Sequence, residues 1–88
     1  MNMTTKPNLQ IGQAYIVDNK PMVLIGISHG RYAFTDGRYG FGRTLGRRES
    51  DSKILNNLKI AKGVNPKYII DKLSESVQSM VQFYKNKS

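Results

Sequence analysis

Three turn signals divide the first half of the chain, and they constrain its fold more than any other feature. Residues 18–21 read Asp-Asn-Lys-Pro, in which Asp and Asn tolerate unusual backbone angles and Pro fixes φ. His29-Gly30 and Asp36-Gly37 are dipeptides that close tight hairpins, because glycine supplies the positive φ that such turns require. Short segments separated by such turns predict antiparallel strands joined by hairpins.

The segments between these turns have the composition of β-strands. The four predicted strands are residues 14–17, 22–28, 31–35 and 39–45. The second is apolar almost throughout, which is typical of a strand covered on both faces. In the third, Tyr32 and Phe34 share one face by simple alternation. Six of the eight glycines lie between residues 26 and 46, and glycine permits bulges and bends, so we predict a small antiparallel SH3-like β-barrel or bent β-meander.

Residues 53–62 fit two structures. A short helix that ends at Gly63 would bury one face of the segment, and this is the favoured interpretation; the face comprises Ile54, Leu55, Leu58 and Ala61. Alternatively, Leu58 and Ile60 fit a closing fifth strand. The preceding segment, residues 47–52, is predicted to be a polar link.

The last predicted element is a long helix over residues 66–86. Asn65 is a good N-cap, and Pro66 suits the first helical position, where the backbone N–H has no partner. Apolar residues recur at three- and four-residue steps along roughly 30 Å of helix, at about 1.5 Å per residue. They are Ile69, Ile70, Leu73, Val77, Met80, Val81 and Tyr84. This stripe is expected to dock on the sheet, and a homodimer through the same helix is the alternative.

The composition bounds the domain organisation. Eighty-eight residues suit one compact domain, predicted over residues 11–88 after a flexible lead-in of residues 1–10. Within it, residues 11–48 form the β-meander and residues 53–86 the helical half. The chain has no cysteine and a single histidine, His29, so neither a disulfide nor a zinc site is predicted. No cofactor is predicted either.

Several functional classes are poorly supported by the sequence. The acidic residues form no close pair suited to acid–base catalysis, and Ser50 and Ser52 have no histidine nearby in sequence. A phosphate-binding loop of the Walker type is absent. The longest apolar run, residues 22–27, is far short of the roughly 18 to 20 residues of a membrane span, and the first ten residues do not resemble a secretory signal. We therefore predict a cytoplasmic, non-catalytic protein without a membrane partner.

The charge is strongly positive and unevenly distributed. Fourteen Lys and Arg residues face six Asp and Glu residues, for a net charge of +8, which favours polyanionic partners. All five arginines lie within residues 31–48, and the stretch "DGRYGFGRTLGRR" interleaves four of them with glycines and aromatic rings, whereas the nine lysines are scattered. Guanidinium groups suit phosphates and the edge of guanine, and aromatic faces stack on unpaired bases. The candidate nucleic-acid-binding residues are Arg31, Arg38, Tyr39, Arg43, Arg47 and Arg48.

The rings in this region have a structural alternative. Tyr32, Phe34 and Phe41 are predicted to be core residues, because aromatic side chains supply much of the burial in a small domain, and Tyr39 is the ring expected to be exposed. On an unbroken strand Phe41 shares a face with Arg43 and Leu45. Either a bulge near Gly42 redirects the chain, or that face is an exposed aromatic and cationic surface.

The sequence thus predicts a small basic protein that binds nucleic acid, DNA or RNA, without catalysis. If the five arginines each neutralise a phosphate, the logarithm of affinity falls against the logarithm of salt with a slope of about −4.5 on duplex DNA. The alternative is an interaction module or inhibitor, of the kind found among phage accessory proteins, that docks its basic face on an acidic protein. Guanidinium groups suit carboxylates as well as phosphates. A cluster that is merely solvated also fits the pattern.

Overall fold

The fold is α+β: a five-stranded antiparallel sheet carries three helices, and the last two follow the sheet. The structure is a computed structural model and describes residues 9–38 and 42–87. The strands are β1 (Ala14–Val17), β2 (Lys20–Ser28), β3 (Arg31–Thr35), β4 (Gly42–Leu45) and β5 (Lys59–Ile60), and the helices are α1 (Glu49–Asn56), α2 (Pro66–Ile70) and α3 (Glu75–Lys87). Within these residues the order β4-β3-β2-β1-β5 is that of an open sheet. None of the described helices is long and apolar enough to cross a membrane.

Two of the predicted turns have the backbone geometry of tight hairpins. Their central residues have φ of 53° at Asp18, 65° at Asn19, 52° at His29 and 78° at Gly30. Two successive positive φ values are those of a type I′ turn, whose twist matches that of the flanking strands. The first turn is shorter than predicted, because Lys20 pairs with Val17 and already belongs to β2.

Strand β2 is shared between two neighbours and is bent by a bulge. Its first half pairs with β1 and its second half pairs with β3. Leu24 lies opposite Phe34 and Gly26 lies opposite Ala33, so Ile25 is an extra residue. A bulge bends its strand and increases the local twist. It also reverses the alternation of side chains, which brings Gly26 onto the face that α2 and α3 cover.

Both faces of the sheet are covered by apolar side chains. One face carries a cluster that includes Met22, Leu24 and Leu55 of α1, with Leu9 packed against it. The other face carries a smaller cluster that includes Val23 and Ile69 of α2. Since successive residues of β2 enter different clusters, the prediction that this strand is covered on both faces is confirmed for residues 22–25, whereas Ile27 is 40% exposed.

The favoured helix over residues 53–62 is wrong in its bounds. Helix α1 begins earlier, inside the predicted polar link, and ends at Asn56. The next segment pairs with β1 as the short strand β5, in which Ile60 lies opposite Tyr15. The alternative of a fifth strand is thus confirmed at Ile60, but this strand lies at the edge of an open sheet and does not include Leu58. Two contacts fix this arrangement. The Asp51 carboxylate accepts the Gly46 N–H at 2.9 Å, and the N–H of Ala61 donates to the Ala14 carbonyl at 3.0 Å.

The single long helix predicted over residues 66–86 is also wrong, because the chain breaks between α2 and α3. The break is stabilised by side chains that satisfy the backbone groups it leaves unpaired. The Ser74 hydroxyl accepts the Val77 N–H at 3.4 Å, and the Gln78 amide donates to the Leu73 carbonyl at 2.8 Å.

The N-cap and the docking of the apolar stripe are confirmed. The Asn65 side chain accepts the Lys67 N–H at 3.0 Å. Helices α2 and α3 both pack on β2, and Ile69 and Val81 are buried. The end of the stripe is less covered, since Tyr84 is 40% exposed. The homodimer through residues 66–86 stays a prediction.

For β4 the sequence left two alternatives open, a bulge near Gly42 or an exposed aromatic and cationic face. Phe34 and Leu45 are buried, as core residues, and Tyr32 is half-buried against them. The pairing of β4 with β3 runs without a shift from Gly42 to Leu45, so no bulge lies within β4. Arg43 is half-exposed at the margin of this face, and Phe41 lies outside the described residues.

Candidate nucleic-acid interface

Three of the five arginines converge where β3 begins and β4 ends. The two strands are antiparallel, and Tyr32 lies opposite Leu45. The chain that enters β3 therefore runs beside the chain that leaves β4. Arg31 is the first residue of β3, whereas Arg47 and Arg48 follow β4. We call Arg31, Arg47 and Arg48 the arginine patch.

Glycines allow these side chains to pack closely against the backbone. A Cβ atom added at Gly30 would lie 2.6 Å from Nε of Arg47, so the guanidinium group crosses directly over the β2–β3 turn. A Cβ atom added at Gly46 would lie 3.7 Å from Cγ of Arg31. The patch is thus placed by the register of the strands, and the close approach of Arg47 to the turn is made at Gly30, since the contact at Gly46 is an ordinary van der Waals one.

An open groove of about 910 Å³ adjoins the patch. Gly26 and Ala33 line it from the sheet, Met80 and Tyr84 line it from α3, and all three arginines of the patch line it from the strand ends. Its lining contains no carboxylate among the described residues. The volume is in the range of roughly 300–1,000 Å³ that is usual for ligand sites.

The patch also lines a second hollow, of about 420 Å³, on the side of α1. Arg43 and Asp51 contribute to its lining. The Asp51 carboxylate is engaged by the Gly46 N–H, and in the part of the chain that the structure describes, no arginine of the patch forms an ion pair. All three are exposed. The two hollows therefore share one electropositive edge.

The other predicted arginines are placed differently. Arg43 pairs with Asp18 at 3.1 Å; both side chains are more than 40% exposed, so the pair contributes at most about 1 kcal/mol to stability. Arg38 follows β3 at its far end, in a hollow that it shares with Arg43, Asp18 and Asp36. The structure therefore does not bring Arg38 into the patch, and it brings Arg43 only to the patch's border. Tyr39 lies outside the described residues.

Sequence reasoning missed the groove residues of α3. Met80 and Tyr84 are four positions apart and belong to one helix face, and the whole stripe was expected to be buried. They are 38% and 40% exposed, and the sheet residues that line the groove with them include the small residues Gly26 and Ala33. One sequence feature did indicate partial exposure: the last residue of the stripe is a tyrosine, whose ring is apolar and whose hydroxyl is polar. His29, whose Nδ1 lies 3.0 Å from the Ser28 hydroxyl, also lines the groove.

No protein-family model, curated protein sequence or solved structure matches this chain. In the described ranges, no three His, Cys, Asp or Glu side chains lie together in a way that could hold a metal ion. Functional inference therefore rests on the geometry of the arginine patch and its groove. Three guanidinium groups offer many N–H donors along one edge, beside apolar and aromatic surface.

Proposed function

We propose that this is a small basic protein that binds nucleic acid without catalysis and contacts phosphates through the arginine patch. The observation that carries the proposal is the convergence of three exposed guanidinium groups on one groove edge, none of them paired with a carboxylate of the described residues. The net charge of +8 adds long-range attraction to any polyanion.

The lining of the groove favours nucleic acid over an acidic protein. Guanidinium groups bind phosphate and carboxylate alike, so the arginines alone do not discriminate. Here they border a tyrosine ring and apolar side chains. Proteins that hold nucleic-acid strands combine these features, with cations on the backbone and rings on the bases.

We also propose that the sheet coils in the manner of a small SH3-like barrel. The support is the long strand β2, which pairs with β1 by one half and with β3 by the other, with the bulge at Ile25 inside the half that pairs with β3. A strand that is bent and shared in this way turns the corner between two parts of a curved sheet.

The direct test is binding of a fluorescent oligonucleotide, single-stranded and duplex, measured by anisotropy at low salt. In a triple variant with Arg31→Gln, Arg47→Gln and Arg48→Gln, we expect affinity to fall at least about tenfold, because the phosphate contacts are lost. The matched control removes three exposed lysines elsewhere, by Lys59→Gln, Lys62→Gln and Lys67→Gln. It lowers the net charge equally, and we expect a loss of less than about threefold. Circular dichroism checks that both variants fold.

Two results would contradict the proposal. One is the absence of binding with micromolar wild-type protein at low salt. The other is an equal loss in both triple variants, which would mean that only the net charge matters. Capture of an acidic protein from nuclease-treated lysate, lost in the arginine variant and unaccompanied by oligonucleotide binding, would support the alternative partner.

A further inference from the structure

The geometry of the groove points to a more specific ligand. We propose that the groove beside the arginine patch receives one unpaired base, so that the protein selects single-stranded over duplex nucleic acid. This inference rests on the proposed function and names the substrate class of the same site.

The surface beside the arginines is recessed, and apolar residues form part of it. Ala33 and Gly26 line it from the sheet, and Ile27 and Met80 add apolar walls. A duplex keeps its bases stacked inside and presents a convex phosphate surface, which uses the arginines but leaves this recess empty. A single strand can direct a base into the recess while its phosphates stay on the arginine patch.

Gly26 is the residue that keeps the recess open. A Cβ atom added there would meet nothing within 4 Å. Further along the same face of the sheet, Val23 is fully buried beneath the helices. The bulge at Ile25 brings Gly26 onto this face as well, next to Ile25, which packs against the smaller apolar cluster. The sheet therefore lacks a side chain at the point where the cover of α3 is incomplete.

Tyr84 supplies an aromatic surface at the same place. It lies one helical turn after Met80 on α3, and it is 40% exposed. A tyrosine ring can stack on any base, because every base has a π face. Binding through this ring predicts tolerance of base identity together with a requirement that a base be present.

The test fills the recess and leaves the arginines in place. In Gly26→Leu, we expect affinity for a labelled twelve-residue oligothymidylate to fall about 5- to 150-fold, the range that stacking of one base gives. Affinity for a duplex of the same length should stay within about twofold. The matched control is Ser79→Leu, which adds the same side chain at an exposed position of α3 and should leave both affinities unchanged.

A second comparison needs no variant. Wild-type protein should bind the oligothymidylate at least about fivefold more tightly than an abasic strand of equal length, and Gly26→Leu should abolish that difference. Equal affinities of the wild type for single strand, abasic strand and duplex would overturn the inference. If all three still depend on the arginine patch, the proposed function stands, whereas binding to none of them contradicts the proposed function itself.

Discussion

Gly30 has a positive φ and lies directly beneath the Arg47 side chain, and both features favour glycine at this position. Its φ of 78° lies in the left-handed region, which costs an L-residue about 1–2 kcal/mol. The Arg47 side chain crosses over the same residue, so an added Cβ atom would displace its guanidinium group. Hairpin geometry and the position of the arginine patch therefore depend on one residue.

We expect Gly30→Ala to lower the free energy of unfolding by about 1–2 kcal/mol, measured by urea denaturation. The matched control is Gly26→Ala, where φ is ordinary and an added Cβ atom meets open space. Replacement of glycine within a strand restricts the unfolded chain, so the control should be neutral or stabilised by up to about 1 kcal/mol. Equal destabilisation of both variants would contradict this account of the turn.

Single residues also show where sequence reasoning reaches its limit. The turn residues were predictable because their chemistry is local: Asp18, Asn19 and Gly30 adopt positive φ for reasons that their own side chains supply. The ion pair of Arg43 was not predictable, because its partner Asp18 lies 25 positions away and only the folded sheet brings the two residues together. The surroundings of the half-exposed Tyr84 likewise include Gly26, which a bulge in β2 brings to the groove.

At the scale of elements, the sequence predicted the parts whose pattern is complete within a few residues. The bounds of β1 and β3 are those predicted, from the β-type composition of β1 and the alternation of side chains in β3. The start of helix α1 was missed because its first turn buries no apolar side chain and is anchored by Asp51, whose partner lies outside the helix. The break before α3 was missed because the spacing of apolar residues continues across it. Hydrophobic periodicity alone therefore does not identify Ser74 as the residue that caps α3.

The short helix α2 depends on its N-cap, because five residues give it few internal hydrogen bonds. It carries Ile69, which is buried in the smaller apolar cluster. We expect Asn65→Ala to lower the free energy of unfolding by about 1 kcal/mol, measured by thermal denaturation. Asn65→Asp keeps an acceptor for the Lys67 N–H and should retain most of the stability. If the alanine variant were as stable as the aspartate variant, the cap would not stabilise this helix.

At the scale of the whole molecule, the sheet separates two apolar clusters, and the charge lies outside them. The net charge of +8 was evident from composition, and so was the concentration of arginines in one third of the chain. The sequence did not predict that the arginines divide between the arginine patch and the hollow in which Arg38 and Arg43 lie beside two aspartates. That division depends on which residues the antiparallel register places side by side.

This division changes the salt dependence expected of the whole protein. Each phosphate contact on a single strand contributes about −0.7 to the slope of log affinity against log salt, so the three contacts of the arginine patch give about −2. Arg47→Gln should make the slope shallower by about 0.7, and Arg38→Gln should leave it unchanged, although each variant removes one charge. Anisotropy titrations over a range of salt concentrations measure all three slopes. A wild-type slope steeper than about −3.5, or an equal effect of the two variants, would mean that phosphates engage Arg38, Arg43 or the scattered lysines as well. The ligand would then be held by the general field of a +8 protein, and the register that brings Arg31, Arg47 and Arg48 together would be a property of the fold without a part in binding.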